Sequence, residues 1–308
     1  MKIFRSKHLK LPLLVMAASL LWGCKNSETS TNSNQTDTME NTKKTENEKY
    51  VLIVLSAQNI LRMNDNSTIH TGYFLDELAV PAQALVAAGY TLELATQDGV
   101  VPTMDKNSND AVYFSNDQTA YKKALDFVKT YPAFSKPKKL SEVANSDLNK
   151  YSALFVPGGR APMTDLMQST DFGKILRYVH EQNITTAFLC HGPVALTAAL
   201  ADPVNYRKAL VENDKSAISK FGKDWIYSGY EMAIFSNSEE DNALKDSKAK
   251  LPFYVADALK FAGGKTVHGE NWKSFIIQDR ELITGQNPAS DHAIADALVK
   301  ALAKNEKE

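Results

Sequence analysis

The run Tyr50-Val51-Leu52-Ile53-Val54-Leu55 contains no charged or strongly polar position that would turn toward water. A strand with one solvated face alternates apolar and polar side chains. An unbroken run instead belongs to a strand buried on both faces, as in a parallel sheet covered by helices on each side. A polar loop to Gly72 follows, then a helical pattern through Leu75, Leu78, Ala82, Leu85 and Val86 that stops at Gly89, and a second strand over Thr91–Thr96. This β-α-β start implies a right-handed crossover and a parallel pair. Ala153–Val156, ending in Pro157-Gly158-Gly159, and Ile184–Leu189 read as further strands, with an amphipathic helix over Asp171–Gln182 between them. Later come a strand over Tyr230–Phe235, a helix over Pro252–Phe261 closed by Gly263-Gly264, and a hairpin turning at Asp279-Arg280. A final helix follows, capped by Ser290 and running to about Lys304. The alternation predicts an α/β fold, a doubly wound and mostly parallel sheet sandwiched by helices. Residues 98–150 carry one clear helix, Gln118–Thr130, and are expected to form a small insertion at the mouth of a site rather than a sheet element.

Thr185-Thr186-Ala187-Phe188-Leu189-Cys190-His191-Gly192-Pro193 is where chemistry is expected. A strand that turns at once into a helix holds its corner side chain strained and exposed, the geometry of a nucleophile elbow. A thiol there faces the positive end of the next helix, which predicts a lowered pKa and a reactive thiolate. His191 adds an imidazole that titrates near neutral pH. The ordinary alternative is a buried structural cysteine. The C-terminal ends of parallel strands are, however, where such folds place their sites.

The first residues have a different character. Lys2, Arg5, Lys7 and Lys10 precede the apolar run Leu11–Leu21, which is shorter than the roughly 20 residues a bilayer span needs. These are the features of an export signal. Leu21-Trp22-Gly23-Cys24 resembles a bacterial lipobox, whose cysteine becomes the lipidated first residue, with Trp22 bulkier than that pattern usually has. Residues 25–49 hold a single apolar side chain, Met39, and are expected to be a solvated tether. Residues 50–304 then form one α/β domain. With Cys24 lipidated, Cys190 is the one remaining cysteine, a free thiol in an exported protein. Net charge of -1 and the lack of a basic stripe argue against a nucleic-acid partner. No metal-ligand spacing of histidines, G-x-G-x-x-G or P-loop occurs, so neither a metal nor a cofactor is expected.

Four segments together resemble the ThiJ/PfpI superfamily, with its flavodoxin-like, class I glutamine amidotransferase-like fold. They are Gly72-Tyr73-Phe74-Leu75-Asp76-Glu77, Val156-Pro157-Gly158-Gly159, Leu189-Cys190-His191-Gly192-Pro193 and Thr284-Gly285-Gln286-Asn287-Pro288-Ala289-Ser290. Within that superfamily the chain is similar to the larger branch of heat-shock chaperones and glutathione-independent glyoxalases (glyoxalase III). The resemblance implies that Glu77, early in the first helix, meets Cys190. Pro81, four residues on, cannot donate to the Glu77 carbonyl, so the helix is expected to kink there. The Gly159 and His191 amides are expected to form an oxyanion hole, with Gly158 beside them allowing close approach. Arg160 is either a solvated charge or a group that draws substrate to the mouth. The resemblance also implies a carboxylate that orients His191, some thirty residues past the cysteine. Glu240 fits this role, with Glu239 as its rival. His292 is an alternative partner for Cys190, although its place after Ser290 suits a capping or interface role. The amidotransferases' later His-x-Glu pair is absent from the last third of the chain, which disfavours glutamine hydrolysis.

The resemblance then implies a cofactor-independent conversion of small 2-oxoaldehydes such as methylglyoxal to 2-hydroxy acids, through a hemithioacetal on Cys190. A stress holdase or protein deglycase is the rival, and a cysteine peptidase or amidase is a third reading. A narrow pocket over Cys190 would favour the enzyme, a broad apolar patch the holdase, and an open cleft the peptidase. A homodimer is left open by the resemblance. The expected location is the cell envelope of a bacterium, anchored to the membrane through lipid on Cys24. Replacing Cys24 by Ser is expected to move the protein from membrane to soluble fractions, and a chain beginning at Lys49 to melt at the same temperature as the mature one. Unchanged membrane retention would exclude the lipid anchor.

Overall fold

The computed structural model describes residues 49–305. The export signal, Cys24 and the tether before Lys49 lie outside the described residues. None of the described helices is long and apolar enough to cross a membrane. The strands are β1 (Tyr50–Val54), β2 (Ile60–Arg62), β3 (Thr68–His70), β4 (Thr91–Thr96), β5 (Lys138–Lys139), β6 (Tyr151–Val156), β7 (Thr185–Leu189), β8 (Glu231–Ala233), β9 (Lys265–Val267), β10 (Ile276–Asp279) and β11 (Leu282–Gly285). The helices are α1 (Leu75–Ala87), α2 (Gln118–Thr130), α3 (Pro132–Ser135), α4 (Leu140–Ala144), α5 (Thr170–Glu181), α6 (Pro203–Glu212), α7 (Lys215–Phe221), α8 (Asn237–Ala243), α9 (Val255–Phe261) and α10 (Asp291–Asn305).

The main sheet has the order β10-β11-β7-β6-β1-β4-β5, parallel throughout except for the β10–β11 hairpin at one edge. The apolar runs lie at its centre: Val51, Leu52, Ile53 and Val54 of β1 and Ala153 to Val156 of β6 are buried, as is all of β7. The chain winds from β1 to β4 on one side, then returns to β6 on the other. The carboxyl ends of β1 and β6 therefore flank a topological switch point, where open sheets of this type form a crevice. α1 enters that crevice from the β1 side, the Pro157-Gly158-Gly159 turn leaves β6 there, and Cys190 follows β7.

Several elements differ from expectation. Residues 98–150 do contribute to the sheet, because Lys138 and Lys139 pair with Ala95 and Thr96 as the edge strand β5. Two exposed lysines on so short an edge discourage a further strand from adding. Lys138 also serves Glu93 of β4, whose carboxylate takes Lys138, Lys150 (2.7 Å) and the Tyr151 hydroxyl. β8 does not join the main sheet. It pairs with β9 in a separate parallel ribbon, fastened to the hairpin by Ala233 N–H donating to Thr284 Oγ1 at 2.8 Å. α1 runs unbroken through Pro81, so what carries Glu77 to the site is its first-turn position rather than a break in the helix. Ser290 does not cap α10 through its side chain; its hydroxyl instead meets the Phe275 backbone.

Candidate active site

Cys190 directly follows β7 with a left-handed backbone, φ +61°. A non-glycine residue in this region costs about 1–3 kcal/mol and persists only when its surroundings hold it there. Two hydrogen bonds do so: the Cys190 amide donates to the Gly285 carbonyl (2.9 Å), and its own carbonyl accepts from the Phe235 amide (3.0 Å). The chain past His191 winds as a 3-10 helix, Gly192–Ala199, rather than an α-helix, and every residue of it is buried. The elbow is therefore a tight corner inside the protein. Cys190 itself is only 3% exposed.

Four segments converge on the sulfur. From its own strand end comes His191, whose Nδ1 lies 3.2 Å from Cys190 Sγ. α8 supplies Glu240, whose Oε2 lies 2.6 Å from His191 Nε2. α1 supplies Glu77, fully buried, with Oε2 accepting the Gly158 amide at 2.9 Å. The Gly158 turn fits because it has no side chain: a Cβ there would stand 2.4 Å from Glu77 Oε2 and 2.5 Å from Cys190 Cβ. Gly159 has φ +86°, and a Cβ on it would meet the Gly72 carbonyl oxygen at 2.0 Å. The two glycines divide their work. The Gly158 amide is spent on Glu77, so it is not an oxyanion donor. The amides of Gly159 and His191 both address the sulfur and favour its anionic form.

Arg160 is not a solvated charge: it stands in the wall of the cavity over Cys190 and is paired with Glu240. Its Nε donates to Glu240 Oε1 at 2.8 Å, with Nη2 on the same oxygen. His292 is not a partner of Cys190 and lines a separate cavity of about 900 Å³ against α1 and α10. The rivalry between Glu239 and Glu240 is resolved by what each touches. Glu239 is fully buried and accepts from Ser236 N–H and Oγ (both 3.0 Å), Trp272 N–H (2.7 Å), Gln286 Nε2 (3.0 Å) and Asn287 Nδ2 (2.8 Å). It closes the capping box of α8 and ties three loops together, away from the imidazole.

Protonation follows from burial and neighbours. Burial raises Glu77 from the usual 4.5 to about 8, outweighing the thiol and the Gly158 amide, so it holds a proton at neutral pH. Burial and the adjacent Glu77 likewise push the Cys190 thiol up, against the two amides. This corrects the expected low thiol pKa: a helix end that lies inside the protein does not outweigh desolvation. His191 is lowered, first by burial and further by Arg160, against the pull of Glu240. Glu240 is held at about 2 despite its burial by His191 and Arg160. The resting site thus pairs a thiol with a neutral imidazole, and places a second, proton-bearing acid on the other side of the sulfur.

Other contributors carry little sequence signal. Phe235 stacks on His191 with ring centroids 4.4 Å apart, and Trp272 meets Phe235 edge-on at 5.5 Å. Asp76, beside Glu77 in α1, is fully buried with neither carboxylate oxygen hydrogen-bonded, and burial, then Glu77 and Asp291, push its pKa well up. A cavity of about 500 Å³ opens over Cys190 and His191, with His70, Phe74, Tyr113, Arg160 and Trp272 among its walls.

A ThiJ/PfpI family-like sequence profile matches residues 69–220, which includes Glu77, the Gly158-Gly159 turn and the Cys190-His191 pair. Over 262 residues the chain is 25% identical to a protein/nucleic acid deglycase HchA of Staphylococcus aureus, covering 82% of this chain and 79% of that protein. Two solved structures share the fold. Glyoxalase III from Candida albicans matches with TM-score 0.57 and 21% identity over 82% of this chain and 97% of that one. The Rapid Encystment Protein of Francisella tularensis matches with TM-score 0.60 and 23% identity over 82% and 99%.

Two outcomes follow from these contacts. Glu239→Gln is expected to cost about 3 kcal/mol of stability, since an amide placed among donors leaves buried groups unpaired; Glu240→Gln also leaves a buried cation unpaired but should impair turnover more than Glu239→Gln does. Parental melting of Glu239→Gln, measured by calorimetry, would show that Glu239 is not the tie. Glu77 binds its proton more tightly folded than unfolded, so its contribution is complete below about pH 4 and is lost as pH rises toward 8. Melting temperature should therefore fall between pH 5 and 8 in the parent and fall less in Glu77→Gln, as followed by calorimetry.

Proposed function

The chain is a ThiJ/PfpI-like protein, and we propose that it is a cofactor-independent, glyoxalase III-like enzyme that converts methylglyoxal or a related 2-oxoaldehyde to the 2-hydroxy acid. The observation that carries this reading is the second acid. A hydrolase needs a nucleophile, a base and an orienting group, which Cys190, His191 and Glu240 can supply. Glu77 stands outside that line, beside the sulfur and holding a proton near neutral pH. A proton shuttle next to the bound carbon is what an internal oxidation–reduction requires.

In this mechanism His191 Nδ1 takes the thiol proton as sulfur adds to the aldehyde carbon, and the new alkoxide is reprotonated to give a hemithioacetal. Loss of the hydrogen on that carbon as a proton, with protonation of the neighbouring ketone oxygen, gives an enediol. Reprotonation at the second carbon and loss of the hydroxyl proton at the first give the 2-hydroxy thioester. Water then releases the 2-hydroxy acid and restores the thiol. One carbon is oxidised and its neighbour reduced, so no external electron carrier is needed. Glu77 serves as acid and base in turn, and the amides of Gly159 and His191 stabilise oxygen charge developing near the sulfur.

A cavity of about 500 Å³ suits a small molecule. A second reading, removal of carbonyl adducts from protein or nucleic acid, is favoured by the name of the Staphylococcus aureus relative and shares the capture step. The export signal and the lipid expected on Cys24 would place the chemistry at the bacterial cell envelope.

The test is lactate formation from methylglyoxal with no added thiol. Glu77→Gln is expected to lower turnover about 10²–10⁴-fold, as for loss of a general acid–base, while Cys190 still captures the aldehyde as a mass adduct. Cys190→Ser should lose both. Near-parental lactate from Glu77→Gln would defeat the proton-shuttle mechanism. Release of amines from glycated peptides without lactate from free methylglyoxal would favour the deglycase.

A further inference from the structure

Arg160, Glu240, His191 and Cys190 form one line of contacts that is longer than nucleophile, base and acid. The guanidinium grips a single carboxylate oxygen, Oε1, through Nε and Nη2, which leaves Oε2 to His191 alone. Its side chain is 15% exposed, and those of Glu240 and His191 are 3% and 4% exposed. Charges so far from water act on one another strongly. Arg160 also directly follows the Gly158-Gly159 turn, so its hold on Glu240 fastens the strand end that presents amides to Glu77 and the sulfur. We propose that Arg160 is a positioning residue: it aims Glu240 at His191 and sets its fixed charge against a second positive charge on the imidazole.

The charge argument runs from the transfer itself. Moving the thiol proton to His191 brings positive charge toward Arg160 and leaves negative charge farther from it. Glu240 favours that step and Arg160 opposes it. Burial already disfavours the imidazolium and Arg160 adds to it; without the arginine the carboxylate would shift the balance toward the thiolate–imidazolium pair, the form most open to stray oxidation. The other charged or titratable groups around the pair are Glu77 on α1, with Asp76 beside it and Asp105 and Asp291 acting on it, Glu239 on α8, and Tyr113 and His70 in the cavity wall. All of these stay in place when Arg160 is changed.

The inference rests on the proposed use of Cys190 as nucleophile, but its test needs no aldehyde. The imidazole of His191 is titrated by NMR in the full chain, its resonance assigned with His191→Gln. Arg160→Gln is expected to raise the His191 titration midpoint by about one pH unit, a tenfold change in protonation at fixed pH. Glu240→Gln is expected to lower it further below the usual imidazole range. Mere loosening would move both variants upward, toward the solvated value, so a shift of the same sign in both overturns the proposal. Arg160→Lys, which keeps the charge but loses the fork, should titrate near the parent with lowered kcat and little change in KM. A His191 midpoint released to the solvated value in Arg160→Lys would also overturn it, and this variant serves if Arg160→Gln does not fold. Opposite NMR shifts without lactate formation would sink the glyoxalase reading and leave the role of Arg160 standing.

Discussion

Glu77 sits in the protein interior with no cation against it among the described residues, and the local architecture follows from that condition. A carboxylate transferred from water without compensation is too costly to remain ionised, so the group keeps its proton and becomes a neutral donor. The one hydrogen bond it accepts, from Gly158, is available because the turn after β6 has no side chain to keep backbone and carboxyl apart. The same absence lets the Cys190 corner press against the turn from the other side. Helix α1, the turn after β6 and the corner after β7 therefore meet at one point, and the strained conformation of Cys190 is held by strands and loops that already surround it.

Much of this was legible in the sequence because it depends on local pattern. Apolar runs are a property of individual segments, and they marked β1, β6 and β7 as strands. The cysteine at the end of such a run, followed by Gly192-Pro193, marked the corner. What was not legible depends on contacts across the fold. Arg160 and Glu240 are 80 positions apart, and no spacing rule joins them. The direction of the thiol pKa turns on how much water reaches the sulfur, which a helix-end argument leaves out. β5 is only two residues long, too short for any periodicity to reveal. One signal was available and unused: Ser236-Asn237-Ser238-Glu239 spells a capping box, which assigns Glu239 to the helix start and leaves Glu240 for His191.

Glu239 also shows how a buried charge can serve structure and site together. Its donors come from the α8 cap, from the loop carrying Trp272 and from the Gln286-Asn287 segment that leads into α10. Trp272 lines the cavity over Cys190, and its ring meets Phe235, which in turn lies on His191. The aromatic wall of the pocket is thus fixed through main-chain anchoring to one carboxylate. With so many donors, that carboxylate is saturated by contacts that hold the fold.

The stack of Phe235 on His191 has a consequence for time as well as place. A solvent-facing imidazole can turn over about its bond to the β-carbon, exchanging its two nitrogens. Here an aromatic face 4.4 Å away, with the sulfur on one side and Glu240 on the other, leaves no room for that half-turn without breaking the packing. The ring therefore keeps one orientation. In the proposed reaction a proton taken from sulfur would enter at Nδ1 and return from Nδ1, because the Nε2 edge faces Glu240. The histidine would then act as a two-way store for a single proton.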